Sequence, residues 1–317
     1  MSRAALALAA ALAAAPGFAQ AAARSDYGIL LLAHGGDAEW NAEVARLRDR
    51  VDQSVPAEAS LGMADVASLQ KALDALAARG VGRVVAVPLF VHSRSEVLDQ
   101  TRYALGLTDK PSEVLRAAAE RMMAARGEHS HAHSHMKEMG ASGRMAGMSH
   151  PMFSLERVKT RLPVTMTAAL DDDAFVSRVL LERARALSRD AKTETVVLVA
   201  HGPVDDAAVG AWNETLARHA AFVRREGGFR GASAALLLDD AAPEVRAAAV
   251  AALRARVAEG SKSGRALVVP VLIARGGIEG KLKTDLQGLD YAWDGKTLMP
   301  HDGFDAWVLA RAAAPAR

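Results

Sequence analysis

The sequence predicts an α/β protein built from two tandem lobes, each with a parallel β-sheet. An apolar run that ends in His-Gly and leads into a helical pattern occurs at 27–36 and again at 195–202. A β-branched segment with a proline near its end, GRVVAVPLFV at 82–91, returns as RALVVPVLIA at 265–274. Short apolar runs bounded by glycine are typical of buried parallel strands. Because both signals occur twice in the same order, we expect a duplicated unit.

The helices of the first half are predicted from apolar residues spaced three or four positions apart, which share one face of a helix. After the first strand these residues are Trp40, Val44, Leu47 and Val51. Alternating strands and helices indicate a parallel sheet with right-handed crossovers. The expected order is strand 27–36, helix 37–53, strand 57–63, helix 65–78, strand 82–91, a helix from about Glu96, strand 162–169 and helix 175–188.

The second half repeats this plan. Pro243 suits the first turn of a helix, where its missing N–H is not needed. The expected order is strand 195–200, helix 206–225, strand 232–238, a helix from Pro243, strand 265–274, and a segment at 298–302 before helix 304–312. We place the first lobe at 25–190 and the second lobe at 191–317.

Residues 1–21 are typical of a secretory signal peptide. They hold one Arg, an apolar run from Ala4 to Ala15, and Ala19-Gln20-Ala21 as a cleavage site. The alternative, an Ala-rich first helix of the fold, would lack a polar face. No later segment approaches the ~20 apolar residues that a membrane span needs. We therefore expect an exported, periplasmic protein without a membrane span.

Composition excludes several classes of site. Lys and Arg total 39 against 37 Asp and Glu, so the pI near 9.0 reflects a nearly balanced charge, and nucleic-acid binding is not expected. The chain has no Cys, which excludes thiolate zinc sites, cysteine-ligated iron–sulfur clusters and cysteine nucleophiles. Any metal must be held by His, Met or carboxylates.

Residues 127–152 interrupt the first lobe as an insertion with five His and five Met among 26 residues. Such a stretch has too few apolar residues to build a core. Its imidazoles can bind nickel, cobalt, copper or zinc adaptively, and the alternative is a solvated linker. The histidines are His129, His131, His133, His135 and His150.

His34 and Glu96 are the predicted catalytic and metal-binding pair. His34 ends the first strand, where open α/β sheets bind their ligands, and Glu96 follows the third. Neighbouring strand ends lie about 5 Å apart, so both side chains are expected at one cleft, able to bind a divalent cation or transfer protons. Alternatively, Glu96 is a carboxylate stabilised at a helix N-terminus. His201 holds the corresponding place in the second lobe, as a metal ligand or a structural histidine.

Two motifs, AHGG at 33–36 and VPLFVHSRSEVL at 87–98, resemble the CbiX/SirB-type sirohydrochlorin cobalto- or ferrochelatases. The segment from Phe90 to Leu98 is similar to the ferrochelatase stretch that supplies the catalytic Glu, and His34 matches the first-strand His. The resemblance implies two Rossmann-like, chelatase-type lobes and a lyase-type metal chelatase. Its substrates would be a sirohydrochlorin-like tetrapyrrole and Co²⁺, or Fe²⁺ or Ni²⁺, with no tightly bound cofactor.

The resemblance also implies roles for other residues. His34 would bind the metal or take a pyrrole proton, and Glu96 would accept the other proton or guide the metal. Arg94 stands where many relatives have His, and in RGGIEGKL at 275–282 Glu279 is displaced by one position from the place of Glu96. The second lobe is therefore expected to form a wall of the cleft.

The macrocycle would be bound by apolar and cationic side chains. Its carboxylates would pair with guanidinium groups, which bind them in bidentate fashion. The residues expected around it are Phe90, Leu89, Trp40, His92, Arg94 and Arg275. A non-catalytic exported metal-binding protein or metallochaperone with the same fold is the alternative, because a fold alone does not fix function.

Overall fold

Two parallel sheets form the centre of the protein, whose computed structural model describes residues 26–113, 116, 155–203, 205–262, 264–275 and 278–314. In the first sheet the strand order is β2-β1-β3-β4, and in the second it is β6-β5-β7. All pairings are parallel. The predicted α/β class and the two parallel-sheet lobes are thus confirmed. The strands are β1 (Gly28–Ala33), β2 (Ala57–Leu61), β3 (Val84–Pro88), β4 (Val164–Met166), β5 (Glu194–Ala200), β6 (Gly231–Leu236) and β7 (Arg265–Pro270).

Eight helices connect and cover these strands within the described residues. Four of them begin at an aspartate whose side chain accepts a backbone N–H of the first turn, which satisfies a donor that the helix leaves free. These caps are Asp37, Asp65, Asp173 and Asp205. The helices are α1 (Ala38–Asp52), α2 (Val66–Ala78), α3 (Glu96–Ala104), α4 (Ala174–Leu187), α5 (Asp206–Gly227), α6 (Pro243–Lys262), α7 (Ile278–Asp285) and α8 (Phe304–Ala313).

The fourth strand is shorter in both lobes than the sequence predicts. In the first lobe β4 spans three residues, and in the second an isolated bridge between Leu267 and Ala292 takes its place. The segment at 298–302 is not a strand, although its start bonds to the chain after β7: the Leu298 amide donates to the Leu272 carbonyl. Helix α7 was not predicted, because only Leu282 of its eight residues is buried and no apolar face repeats.

The two lobes are joined by an exchange of helices. Helix α4 packs on α5 and β7 of the second lobe, and α8 packs on α1 and β3 of the first. Phe175 of α4 and Phe304 of α8 meet edge to face with ring centroids 5.0 Å apart. One apolar core therefore runs through both lobes. The lobe boundary at residue 190 stays a prediction, and α4, which lies before it, packs on the second sheet.

Some sequence predictions fall outside the described residues. These are the signal peptide at 1–21 and the whole of the insertion at 127–152, including its five histidines. Within the described part of the chain, no helix is long and apolar enough to cross a bilayer.

Candidate functional site

The carboxyl ends of the strands of both lobes meet at one cavity of about 490 Å³. His34 follows β1 and His201 follows β5, and both line it. The loops after β3, β6 and β7 complete the wall. The lining includes Trp40, Phe90, His92, Trp212, Asp239, Asp240 and Arg275. The two histidines that the duplicated motif predicts therefore face a common space between the lobes.

Two other cavities have similar volumes but different positions. One of about 620 Å³ lies beside Thr195 and Gly231, at the amino ends of β5 and β6. Another of about 520 Å³ lies along β4 and Arg311. Neither is lined by His34 or His201. Because ligands of parallel α/β sheets bind at the carboxyl ends of the strands, the cavity at His34 is the candidate site.

The His34 ring is held in a neutral state. Burial, and after it the charge of the nearby His201, lower its pKa from 6.5 to about 4, while Asp240 acts in the opposite direction. Its Nδ1 lies 2.8 Å from the Met63 sulfur, and its ring centroid lies 4.6 Å from that of Phe90. A neutral imidazole keeps one nitrogen lone pair, which can bind a metal ion or accept a proton.

His201 lies in a more acidic part of the same cavity. Burial lowers its pKa, while a hydrogen bond with the Gly202 backbone and the charges of Asp240, Asp239 and Glu96 act in the opposite direction. The His201 ring meets Trp212 edge to face at 5.1 Å. The second lobe therefore contributes a neutral imidazole close to several carboxylates, which suits a cation or a released proton.

Glu96, predicted at the same cleft as His34, is the first residue of α3 and is not among the residues that line the cavity. Its carboxylate is directed toward the second lobe. Its Oε1 accepts the backbone N–H of Asp205, at the start of α5, over 2.6 Å. Its charge also raises the pKa of His201. Among the described residues, no group of three or more His, Asp or Glu side chains is arranged to hold a metal ion. The roles predicted for His34, Glu96 and His201 stay predictions.

His92 lines the cavity, but both of its ring nitrogens have partners. Nδ1 accepts the backbone N–H of Arg94 at 2.9 Å, and Nε2 lies 3.3 Å from the Thr215 hydroxyl. Burial lowers the pKa of His92, while Asp171 opposes the shift. The ring stacks on Trp212 at 5.3 Å. His92 can therefore offer a ring face to a ligand more readily than a nitrogen.

The other predicted substrate-binding residues lie in different surroundings. Phe90 and Trp40 line the cavity, and the exposed Arg275 lines it as well. Arg94 is exposed but is not among the lining residues, and its carbonyl accepts the Trp212 indole N–H at 2.9 Å. Leu89 is fully buried in the core, so it supports the wall from behind.

Sequence reasoning missed Met63, Trp212 and the pair Asp239 and Asp240. Met63 follows β2 and the two aspartates follow β6, so the strand-end rule that found His34 would also have found them. Trp212 is on α5, 2% exposed, and its position gave no signal beyond an apolar helix face. These residues nevertheless surround the two histidines.

Comparison with known proteins relates part of the first lobe to a known family. Residues 28–103 match the sequence model of the CbiX family. This stretch is therefore a CbiX-like region of the chain. It spans β1 to α3 and contains His34, Met63, His92 and Glu96. The family resemblance of the two sequence motifs is thereby confirmed. No curated protein matches the chain.

Two solved structures share the fold over nearly the whole chain. SirB from Bacillus subtilis with Fe³⁺ is 16% identical with a TM-score of 0.55, and the alignment covers 91% of this chain and 96% of that one. The sirohydrochlorin chelatase SirB from Bacillus subtilis subspecies spizizenii in complex with cobalt is 13% identical with a TM-score of 0.53, covering 90% and 93%. The two lobes together therefore share the fold of these SirB structures.

The low pKa of His34 gives a testable pH dependence. Its ring should titrate with a midpoint near pH 4, against ~6.5 for a free histidine. Between these values the unfolded chain binds more protons than the folded chain, so the free energy of unfolding should fall as pH drops from about 6.5 toward 4. NMR of the ring, assigned with His34→Ala, gives the midpoint. A midpoint at or above pH 6 would contradict the lowered pKa of His34.

Proposed function

We propose that this chain is a metal chelatase that inserts a divalent metal ion into a sirohydrochlorin-type tetrapyrrole. The observation that carries the proposal is the placement of two neutral histidines, one from each lobe, on a single cavity at the edge of the CbiX-like region. At about 490 Å³ the cavity has a size typical of small-molecule sites.

The reaction requires the metal to lose water and the macrocycle to lose two pyrrole protons. His34 binds the incoming metal or takes one pyrrole proton, because its ring is neutral at pH 7. Glu96 takes the other proton or guides the metal, and His201 offers a second imidazole. The balance is one divalent ion bound and two protons released, with no change in oxidation state.

The macrocycle occupies the space between the lobes. The rings of Phe90, Trp40 and Trp212 supply flat apolar surface, and such surface favours stacking with a conjugated ring. Arg275 at the cavity and the exposed Arg94 pair with substrate carboxylates. Co²⁺, Fe²⁺ and Ni²⁺ all suit imidazole ligands, and the two SirB structures, one with Fe³⁺ and one in complex with cobalt, support cobalt or iron as the metal.

We further propose that the protein is exported to the periplasm and that the His/Met insertion gathers metal for the site. The support is the signal-peptide pattern of residues 1–21 and the histidines of 127–152. Deletion of 128–151 should leave folding intact, since loop closure depends only weakly on loop length. The deletion should lower the number of Co²⁺ ions bound and raise the metal concentration for half-maximal rate, with turnover at saturating metal unchanged. Unchanged stoichiometry by calorimetry would make the segment a linker.

The alternative is a non-catalytic metal-binding protein or metallochaperone on the same fold. Binding of metal-free sirohydrochlorin separates the two. A chelatase should bind the macrocycle saturably and quench the fluorescence of Trp40 and Trp212, which line the cavity. The matched control is Trp307, which lies in α8 outside the lining, and Trp307→Phe should leave the quenching unchanged. Absence of saturable binding would favour the alternative.

A further inference from the structure

Met63 contacts the ring of His34 and takes no direct part in the proposed chemistry. The Met63 sulfur lies 2.8 Å from Nδ1 of the ring. The two atoms are within hydrogen-bonding distance, and a hydrogen bond between them needs one of the two to carry the proton. A thioether carries no proton and is a weak acceptor, so the hydrogen must be on the ring nitrogen.

The backbone around Met63 is shaped to place its sulfur there. Gly62 has φ 130° and Ala64 has φ 57°, and the Ala64 amide donates to the Gly62 carbonyl at 3.1 Å, which closes a tight turn after β2. A non-glycine residue with positive φ is uncommon and marks a conformation that its surroundings impose. Asp65 then caps α2, so the turn is fixed at both ends.

The loop that carries His34 approaches this turn closely. Gly35 has φ 72°, and a Cβ there would lie 3.2 Å from the Gly62 nitrogen. Only glycine fits both the backbone angle and the space without strain. The two loops are therefore held against each other, and the ring of His34 and the side chain of Met63 meet with little freedom.

Met63 acts on the ring from behind and does not line the cavity. His34 is a lining residue of the cavity and Met63 is not. Metal-binding histidines usually donate their second N–H to a carboxylate or a carbonyl, which fixes the tautomer and makes the ligand more basic. A thioether accepts the same proton without adding negative charge, so the ring stays neutral and only weakly basic.

We propose that Met63 is a positioning residue that fixes His34 as the Nδ1–H tautomer, leaving the Nε2 lone pair as the atom that meets the metal or the pyrrole proton. The tautomer follows from the contact alone, while its use in metal insertion rests on the proposed function. A weakly basic Nε2 binds the metal and releases it readily, as a chelatase must do to pass the ion to the macrocycle.

The tautomer can be read directly from imidazole ¹⁵N chemical shifts in the full chain without metal or tetrapyrrole, with the His34 signals assigned by their loss in His34→Ala. In the wild type we expect a protonated Nδ1 and an unprotonated Nε2 at pH 7. Met63→Leu keeps the size and removes the acceptor, so the Nε2–H form should gain population. Met63→Gln, which offers an amide oxygen, should restore the Nδ1–H form.

Metal insertion supplies the second measurement. Met63→Leu should lower kcat about tenfold, within the range lost when a group behind a metal-binding histidine is removed. The KM for tetrapyrrole should not change, and Met63→Gln should recover most of kcat. Met166→Leu is the matched control, a half-buried methionine in β4 away from the cavity, and should behave as wild type.

An unprotonated Nδ1 in the wild type, or a tautomer unaltered by Met63→Leu, would overturn the inference. A kcat in Met63→Leu equal to that of Met166→Leu would also overturn it. If the tautomer shifts as expected while the wild type inserts no metal, the positioning role of Met63 stands and the proposed function fails.

Discussion

Replacing His34 by Ala is expected to remove metal insertion, with turnover falling by about 10²-fold or more, the range supplied by a positioned acid–base group. His34 directly follows β1, and its ring faces the cavity and is neutral at pH 7. Because His34 is only half-buried, its loss should change the free energy of unfolding little. Initial rates of insertion and urea unfolding of the same preparation measure both effects.

Two further variants make this result specific. His301→Ala removes a histidine of the second lobe that does not line the cavity, and it should retain wild-type turnover. Glu96→Gln keeps an oxygen to accept the Asp205 amide but loses the charge, so it should fold normally and turn over slowly. Rates close to wild type in both His34→Ala and Glu96→Gln would favour the non-catalytic alternative.

Trp212→Ala is expected to lower the free energy of unfolding by about 3–5 kcal/mol, the usual cost of removing a buried aromatic side chain. The indole is 2% exposed and lies between the rings of His92 and His201. Its N–H donates to the Arg94 carbonyl, so it links α5 of the second lobe to the loop after β3 of the first. Loss of this ring opens a cavity at the junction of the lobes.

Trp212→Phe is the control for this prediction. It keeps an aromatic ring between the two histidines and removes the hydrogen bond, so it should cost about 1–3 kcal/mol, mainly from the Arg94 carbonyl left without its donor. Urea unfolding followed by circular dichroism gives both values. A loss below about 1 kcal/mol for Trp212→Ala would mean that the tryptophan does not hold the lobes together.

Strand ends were the part of the site that the sequence predicted well. The run before His34 and the run before His201 are short, apolar and bounded by glycine, and local pattern alone identifies such strands. Parallel strands must then present their carboxyl ends at one edge, so both histidines were placed correctly at strand ends.

Contacts between distant parts of the chain could not be predicted in this way. Glu96 accepts the backbone N–H of Asp205, which is 109 residues away in the sequence. The helical pattern of α3 gives no indication of which residue Glu96 will contact. The packing of α4 and α8 on the opposite lobe could not be predicted for the same reason. The sequence of an amphipathic helix shows which of its faces is buried, but not which sheet that face packs against. Met63 was overlooked because a methionine after a strand usually belongs to the core.

Metal insertion into sirohydrochlorin by the full chain tests the central claim most directly. The visible spectrum of the macrocycle should change after addition of Co²⁺, Fe²⁺ or Ni²⁺, at a rate proportional to protein concentration and well above the rate without protein. His34→Ala should return the rate to that of the protein-free reaction. A wild-type rate equal to the protein-free rate, in a preparation that binds the same metal, would contradict the assignment of this chain as a chelatase.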